Sequence, residues 1–329
     1  MKSVGVSDQS GVAEARRAAT DLAGKAGFTD VETGKLALIA TELSTNLVKH
    51  GSGGEILVGT YEDNEGHGIE ILALDKGAGM SNVAACLEDG YSSAGTAGHG
   101  LGSVTRQSHF VEIGSWPGLG TAVLARVAPG QAPSGKPPVS PTWGGVSIAK
   151  AGEDVCGDAW SVSNTGNART LLVADGLGHG PGAAEAAVEA VRLLHRYNGH
   201  TVANLIDYIH NGLRSTRGAA VSIARFDPAT KKITFSGIGN VAGMTVVAGE
   251  TKRMVSMAGT AGFNARKIQT FDYPFEHGLV ILYSDGLASS WTVDRYTNLV
   301  KLHPSLIAAI LYRDFTRHRD DATVLVAKW

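Results

Sequence analysis

The stretch Thr41-Glu42-Leu43-Ser44-Thr45-Asn46 decides the fold of the first half of the chain. It lies in a segment that opens with the capping box Thr29-Asp30-Val31-Glu32 and ends at Gly51. Apolar residues recur at helical spacing along this segment: Leu36, Ile39, Leu43 and Leu47. The segment is therefore predicted to be a helix, and Glu42 and Asn46, four residues apart, share one of its faces.

Two glycine-rich turns follow that helix, Asp75-Lys76-Gly77-Ala78-Gly79 and Gly98-His99-Gly100-Leu101-Gly102. A nucleotide site needs a metal ligand, an acceptor for the adenine amino group, and glycines whose amides approach phosphate oxygens. Asn46 can supply the first and Asp75 the second, while the glycines of the second turn can supply the third. Glu42 is placed to act as a general base toward an incoming hydroxyl group.

Strand-like stretches occupy residues 55–61, 69–74, 111–113 and 121–127, after the predicted helix. The polar loop 62–68 predicts that the first two stretches form a hairpin. Helices early and antiparallel strands late indicate an α+β sandwich for this half. The proline-rich stretch 129–141 then has no hydrophobic periodicity and is predicted to be a linker. We therefore expect two domains, at residues 1–128 and 142–329.

The second half is richer in apolar, β-branched runs than in helical patterns. The predicted strands are residues 171–174, 219–226, 233–238, 244–247, 279–283 and 323–327. The predicted helices are residues 182–195, 202–213 and 305–315. Strands framing helices are consistent with a β-sandwich flanked by helices.

Four aspartates stand at predicted strand ends or in adjoining turns of this half: Asp158, Asp175, Asp285 and Asp320. Hydrolysis at a pair of metal ions requires several carboxylates around two ions about 3.5–4 Å apart. Oxygen ligands suit Mg²⁺ and Mn²⁺, and no His/Cys cluster with zinc spacing competes for the metal. The sequence thus predicts a second site, for two divalent ions, in addition to the nucleotide site.

The composition narrows the class of partner. The chain has 43% hydrophobic and 18% charged residues and a formal net charge of -2, which gives no reason to expect nucleic acid or an anionic membrane. Its two cysteines, Cys86 and Cys156, are too few for a disulfide framework or a thiolate zinc site. No apolar run approaches the ~20 residues of a membrane span. A cytoplasmic protein is the expectation.

The motifs of the first half resemble the GHKL (Bergerat) ATP-binding fold and, within it, the anti-sigma-factor-type serine/threonine kinases, closest to the stressosome switch kinases. The resemblance rests on residues 41–46, on residues 75–79 and on Asp89-Gly90-Tyr91-Ser92. It implies a two-layer α/β sandwich that transfers the γ-phosphate of ATP to a Ser or Thr of a STAS-domain protein. It places Asn46 on Mg²⁺ and Asp75 on adenine. The remaining nucleotide contacts would come from Gly77, Gly79, Gly98, Gly100, Leu101 and Gly102.

The motifs of the second half resemble the metal-dependent PPM (PP2C-like) serine/threonine phosphatases of the SpoIIE branch, and among them the small stressosome feedback phosphatases. The resemblance rests on residues 155–158, 173–178, 217–219 and 319–323. That resemblance implies an α-β-β-α sandwich with two Mn²⁺ or Mg²⁺ ions. Asp175 would bridge both ions and the Gly176 carbonyl would bind one of them. Asp285 and Asp320 would hold the other ion, and Asp158 would contribute directly or through water. Asp321 would have a supporting role.

Some assignments stay open in this half. No arginine just before Gly157-Asp158 is available to grip the substrate phosphate, and Gly157 takes the place of an acidic ligand. His179 fits two roles equally: a general acid for the leaving alkoxide, or a cap for the helix that starts near Pro181. Arg217 and Asn240 are either structural or near the substrate.

Together these features predict a bifunctional regulator, in which an ATP-dependent Ser/Thr kinase is joined to a metal-dependent Ser/Thr phosphatase. STAS-domain proteins of a stressosome-like or partner-switching pathway are the expected substrates, with a downstream signalling protein as a possible further partner. The alternative is an ATP-binding partner-switching module without kinase turnover, joined to an active phosphatase. A GHKL machine of the gyrase or MutL kind is disfavoured, because a phosphatase-like segment occupies the place of its transducer domain.

Overall fold

The computed structural model of the chain describes residues 1–64, 66–83, 100–130, 142–265 and 268–329. The chain divides into two compact units. The first unit comprises Met1–Gly144 together with Arg295–Arg313, and the second comprises Gly145–Asp294 together with Asp314–Trp329. Residues 295–313, which the sequence analysis placed in the second domain, thus belong to the first compact unit. Most of the predicted linker lies outside the described residues.

The first unit is built on an antiparallel sheet. Its strands are β1 (Lys2–Val6), β2 (Gly54–Asp63), β3 (Gly66–Leu74), β4 (Phe110–Trp116) and β5 (Gly120–Val127). Their order in the sheet is β1-β2-β3-β5-β4. The helices among the described residues before the linker are α1 (Gln9–Lys25), α2 (Asp30–His50) and α3 (Gly100–Gln107). The predicted hairpin is confirmed, because β2 and β3 pair from Glu55↔Leu74 to Asp63↔Gly66.

Helix α2 begins and ends where the sequence predicts. The Glu32 amide donates to the Thr29 hydroxyl (3.3 Å) and the Thr29 amide donates to the Glu32 carboxylate (2.9 Å). These bonds form the capping box, and Gly51 caps the other end. The acceptors lower the number of unsatisfied amides in the first turn, which fixes the start of the helix.

The sheet of the first unit has two buried faces. On one face, alternate strand residues such as Ile56, Ile71 and Val123 form a core with α1 and α2. Residues of the other alternation are buried as well: Leu57, Tyr61, Glu70, Leu72, Leu74, Phe110, Leu124 and Arg126. Because neighbouring residues of a strand point to opposite faces, this second set requires a cover of its own.

Strand β1 and helix α1 are absent from the sequence-based prediction. The buried face of α1 is made mainly of alanines (Ala15, Ala18, Ala19 and Ala23), with Val12 as its larger member. Alanine gives a weak hydrophobic signal, yet it permits the close packing of α1 against α2. Asp8 caps the helix by accepting from the Ser10 amide (2.8 Å).

The second unit is a sandwich of two sheets. One sheet has the order β13-β10-β9-β8-β7 and the other β12-β11-β14-β15-β6. The strands are β6 (Thr142–Ile148), β7 (Asp158–Thr165), β8 (Ala168–Gly176), β9 (Ala219–Asp227), β10 (Lys232–Ile238), β11 (Ala242–Val247), β12 (Glu250–Arg253), β13 (Phe271–Pro274), β14 (Leu279–Tyr283) and β15 (Ala322–Lys328). Helices α4 (Pro181–Arg196) and α5 (Val202–Gly212) pack on the first of these sheets.

The sheets of this sandwich meet through β7 and β8 on one side and β14 and β15 on the other. Helices α4 and α5 share a core with β8 and β9, in which Leu172, Ala187 and Ile206 are fully buried. A last helix, α6 (Pro304–Phe315), has residues 304–313 in the first unit. In the described parts of the chain, no helix is both long enough and apolar enough to cross a membrane.

Candidate functional site

The first candidate site is organised around Asp75, directly after β3. One oxygen of its carboxylate, Oδ1, accepts hydrogen bonds from the main-chain amides of Gly77 (2.8 Å) and Thr121 (3.2 Å). Within the described chain no donor is recorded for the other oxygen, Oδ2. Asp75 is only half-buried, so a ligand can reach that oxygen. A fixed carboxylate with one available acceptor oxygen is what recognition of an exocyclic amino group needs.

Glu42 and Asn46 lie together on α2, facing the start of α3. A Cβ atom at Gly100 would lie 3.4 Å from both the Glu42 Oε2 and the Asn46 Oδ1. The first amides of α3 have no partner within the helix, and a helix N-terminus favours bound anions. The structure therefore brings Glu42, Asn46 and Gly100 close together, and their nucleotide contacts stay a prediction.

The other residues predicted to contact the nucleotide lie in different surroundings. Gly79 has φ of 71° and a Cβ there would lie 2.0 Å from the Trp116 carbonyl oxygen, so only glycine fits. Leu101 packs against the core cluster of the first unit, which leaves its main chain rather than its side chain for a ligand. Gly102 is buried in α3. Gly98 lies outside the described residues.

The second candidate site starts from the register of two strands. Strands β7 and β8 pair so that Asp158 stands opposite Asp175. Gly176 follows, and a Cβ there would lie 2.0 Å from the Ala183 carbonyl oxygen of α4. Only glycine fits at this crossing, so the Gly176 main chain stays beside both aspartates.

Two further loops bring the remaining aspartates. A Cβ at Gly286 would lie 2.0 Å from the Asp321 carbonyl oxygen, so the turn that carries Asp285 packs directly on the turn that carries Asp320. The Asn240 side chain donates to the Asp285 carboxylate (2.5 Å). The predicted strand-end aspartates are thus carried by loops that touch one another.

These carboxylates lie close enough to raise one another's pKa values. Burial raises the pKa of Asp175 above its ordinary value, and the charges of Asp158, Asp285 and Asp320 raise it further. Burial also raises the pKa of Asp158, against a hydrogen bond from the Ser284 hydroxyl (2.6 Å) that lowers it. Burial and then Asp320 raise the pKa of Asp285. The arrangement concentrates negative charge and would be relieved by cations.

The donors of this site fit hard divalent cations. Asp321 is 3% exposed, its Oδ1 accepts from the Lys150 amide (2.9 Å), and its buried Oδ2 has no donor among the described residues. A buried carboxylate oxygen without a donor is costly unless a ligand or water satisfies it. Among the described residues, however, no group of three or more His, Cys, Asp or Glu side chains is arranged so that it could hold a metal ion. The ligand set named from the sequence therefore stays a prediction.

The His179 side chain does not cap helix α4 in the structure. Helix α4 is preceded by Gly180 and has no side-chain cap hydrogen bond. The His179 ring instead pairs with the Glu153 carboxylate (2.6 Å), a contact for which the sequence carried no signal. A histidine oriented by a carboxylate is typical of proton transfer, so the capping interpretation is disfavoured.

Arg217 lies beside the same loop. A Cβ at Gly182 would lie 2.7 Å from the Arg217 Cζ, and one at Gly178 would lie 3.6 Å from its Nη1. The exposed guanidinium group thus covers the turn that follows Gly176. The sequence analysis also missed Ser284, whose hydroxyl donates to the Asp158 carboxylate and accepts from the Thr323 amide (2.9 Å).

Comparison with protein families assigns each half. Residues 6–127 match the histidine kinase-like ATPase domain, and residues 166–329 match the family of stage II sporulation protein E (SpoIIE). The N-terminal half is similar to the serine/threonine-protein kinase RsbT of Bacillus subtilis (strain 168), with 29% identity over 114 residues, which are 35% of this chain and 86% of RsbT.

Two solved structures are similar in fold. One comes from work on the bacterial stressosome as a modular system adapted to control secondary messenger signaling. Its TM-score is 0.52 and its identity 27%, and the alignment covers 56% of this chain and 97% of the other. RsbX in complex with magnesium has a TM-score of 0.51 and 22% identity, and covers 59% of this chain and 97% of its own. The predicted fold class is confirmed. The chain joins an N-terminal domain of the histidine kinase-like ATPase family to a C-terminal SpoIIE domain with the PP2C-like phosphatase fold.

Proposed function

We propose that the chain is a partner-switching regulator that both phosphorylates and dephosphorylates Ser or Thr residues of STAS-domain proteins. The observation that carries the proposal is the presence of two groups of polar residues, one in each half of the chain. In the first, Asp75 lies against Gly51 at the end of α2, the helix that carries Glu42 and Asn46. In the second, Asp158 stands opposite Asp175, and the turns that carry Asp285 and Asp320 are in contact. The similarity of the N-terminal half to RsbT and the stressosome structure among the similar folds support the choice of pathway.

In the kinase half, the side chains position ATP and the acceptor hydroxyl. Asp75 Oδ2 accepts from the adenine amino group, because Oδ1 is already held by two amides. Asn46 would hold Mg²⁺, whose charge neutralises the triphosphate during transfer. Glu42, one helical turn away from Asn46, accepts the proton of the incoming Ser or Thr hydroxyl. The amides at the start of α3 bind phosphate oxygens.

In the phosphatase half, the residues bind and orient the phosphoryl group. Asp175, Asp285, Asp320 and the Gly176 carbonyl would hold two Mn²⁺ or Mg²⁺ ions, with Asp158 as direct or water-mediated support. Such ions supply positive charge and lower the pKa of a water molecule. His179, oriented by Glu153, holds a proton for the leaving alkoxide of the serine or threonine.

Two opposing activities on one chain must act on different residues or at different times. If both acted freely on the same residue, ATP would be hydrolysed without a lasting change in the substrate. Joining the domains raises the effective concentration of each at a shared complex. We therefore expect different target residues, or conditions that silence one domain.

The test is incubation of the purified full chain with labelled ATP and a candidate STAS-domain protein, followed by Mn²⁺ and an unlabelled chase. Asn46→Ala is expected to lower phosphate incorporation at least about tenfold, which corresponds to about 1.4 kcal/mol. It should leave release intact. Asp175→Asn is expected to abolish release and leave incorporation intact, and Asp207→Asn, on the exposed surface of α5, is the matched control.

Three outcomes separate the alternatives. If wild type binds ATP but transfers no phosphate to the STAS-domain protein, the N-terminal domain is a binding module and the kinase assignment is wrong. If Asp175→Asn still releases phosphate, the phosphatase site lies elsewhere. If both domains are fully active at the same time on one residue of the substrate, the proposed separation of the two activities is wrong.

A further inference from the structure

The second face of the N-terminal sheet is covered by a segment from near the other end of the chain. Residues 295–313, which include α6 as far as Arg313, belong to the first compact unit. Tyr296 packs edge-on against Trp116 of β4, with ring centroids 5.1 Å apart. His303 packs against Phe110 of the same strand at 5.6 Å. This segment is hereafter the covering segment.

Polar contacts fix the covering segment in register on the sheet. The His303 amide donates to the Glu112 carboxylate (2.6 Å), and the Tyr312 hydroxyl donates to the Glu55 carboxylate (3.0 Å). The Arg126 guanidinium donates to the Ser305 hydroxyl (2.9 Å). Contacts at β4, β5 and β2 hold a helix in one position, because hydrogen bonds are directional and apolar contacts are not.

Arg313 ends the covering segment at the candidate nucleotide site. It is 5% exposed, and its Nη1 donates to the main-chain carbonyls of Asp75 (2.8 Å) and Thr121 (3.2 Å). A buried guanidinium group without hydrogen-bond acceptors is costly, so Arg313 must keep these acceptors. Both carbonyls are therefore held by a charged donor from outside the sheet.

The two carbonyls belong to Asp75 and Thr121, and hydrogen bonds between these two residues also fix the Asp75 carboxylate. The Asp75 amide donates to the Thr121 carbonyl (2.9 Å), and the Thr121 amide donates to Asp75 Oδ1 (3.2 Å). A Cβ at Gly120 would lie 2.1 Å from the Asp75 carbonyl oxygen, so the two chains are as close as glycine allows. A change at Arg313 thus acts on the pair of residues that orients the carboxylate.

We propose that Arg313 is a positioning residue for nucleotide base recognition, acting on Asp75 from the covering segment. The proposal rests on the proposed function of Asp75 as the adenine acceptor. Arg313 holds the Asp75 and Thr121 carbonyls, these residues hold Oδ1, and Oδ2 then points to the base. Without Arg313, the carboxylate loses its fixed direction, and discrimination for adenine falls more than affinity for the triphosphate.

The experiment measures binding of ATP and GTP to the full chain with Mg²⁺, by titration calorimetry, for wild type, Arg313→Met, Arg313→Lys and Tyr312→Phe. Arg313→Met is expected to weaken ATP binding about tenfold, as expected when a hydrogen bond from a charged group is lost, and to leave GTP binding within about twofold. Arg313→Lys keeps a charged donor and should recover part of the loss. Tyr312→Phe removes the neighbouring bond to Glu55 and reports on loosening of the covering segment alone.

The results divide as follows. A fall in the ATP-to-GTP affinity ratio with Arg313→Met but not with Tyr312→Phe supports the proposal. Equal losses for both nucleotides, equal effects of both variants, or no effect of Arg313→Met overturn it while the nucleotide site stands. Absence of any nucleotide binding by wild type overturns both this proposal and the proposed nucleotide site. If Arg313→Met does not fold, an Arg313→Lys chain with an unchanged ratio overturns the proposal.

Discussion

Single residues decide how closely the functional loops approach. At Gly176, Gly286 and Gly120 a Cβ would lie 2.0–2.1 Å from a carbonyl oxygen of a neighbouring loop or helix. Each of these contacts brings a polar group of a candidate site to its place. The glycines are therefore required by close approach of backbones, and not only by turn conformation.

Asn240 is a neutral residue that changes the pKa of one of the candidate metal-binding carboxylates. Its side chain donates to the Asp285 carboxylate (2.5 Å) and lowers the pKa of that group against the effects of burial and Asp320. A partner of this kind orients the carboxylate toward an ion. Asn240 is thus a supporting residue for the predicted metal ligand Asp285.

Asn240→Ala is expected to weaken the apparent Mn²⁺ affinity of the phosphatase by about 10–100-fold, with kcat at saturating Mn²⁺ changed much less. The cause is the lost orientation of Asp285. The measurement is phosphatase activity on a small aryl phosphate as a function of Mn²⁺ concentration. Asn211→Ala, an exposed asparagine of α5, is the control. An unchanged Mn²⁺ dependence would show that Asn240 does not support Asp285 as an ion ligand.

At the scale of elements, a buried ion cluster joins β2, β3 and β5. The Arg126 guanidinium donates to Glu70 (2.9 Å) and to Asp63 (2.6 Å), and it lies 4.0 Å from the centroid of the Tyr61 ring. The three charged side chains are at most 4% exposed. Burial raises the pKa of Glu70, and the charge of Arg126 opposes that change. The cluster specifies the register of three strands.

Arg126→Met is expected to lower the unfolding free energy of the first unit by about 3–5 kcal/mol, because it leaves buried carboxylates without their cation. Urea unfolding is followed by hydrogen exchange in peptides of β3 and β5, which report on this unit. Lys2→Met removes the exposed pair with Glu14 in the same unit and should cost no more than about 1 kcal/mol. Equal losses for the two variants would show that the Arg126 cluster adds nothing beyond a surface pair.

At the scale of the whole chain, the first compact unit is discontinuous in sequence. Its sheet comes from the first 130 residues and its covering segment from residues 295–313. Ile310 of that segment is fully buried beside Gly114 of β4. Burying one such side chain stabilises by about 1.5–3 kcal/mol. The first unit therefore obtains part of its stability from a segment that lies between β14 and β15 in the sequence.

A fragment of residues 1–130 is expected to expose the second face of its sheet. It should bind a hydrophobic dye several-fold more strongly than the same fragment fused through a Gly-Ser linker to residues 295–313, and it should elute as a larger species. Size-exclusion chromatography and dye fluorescence compare the two. A monomeric, thermally stable fragment without the dye signal would show that the covering segment is dispensable for the fold.

The sequence alone determined the elements with strong local signals. The capping box and apolar spacing set the bounds of α2, and polar residues between apolar runs set the β2–β3 hairpin. Motifs of aspartate and glycine also carried the resemblance to both families, because such motifs are short and contiguous in the sequence. Alanine-rich α1 escaped prediction, because its packing depends on the neighbouring helix and not on a hydrophobic signal of its own.

Only the tertiary structure decided which segments meet. Every residue from Pro304 to Arg313 is buried, so this part of α6 has no exposed polar face that would indicate from the sequence which side packs on a partner. The pairing of Asp158 with Asp175 likewise depends on strand register, and the contact of Arg313 with Asp75 joins residues 238 positions apart. Local propensity cannot encode such contacts, because they form only when distant segments bury their surfaces together.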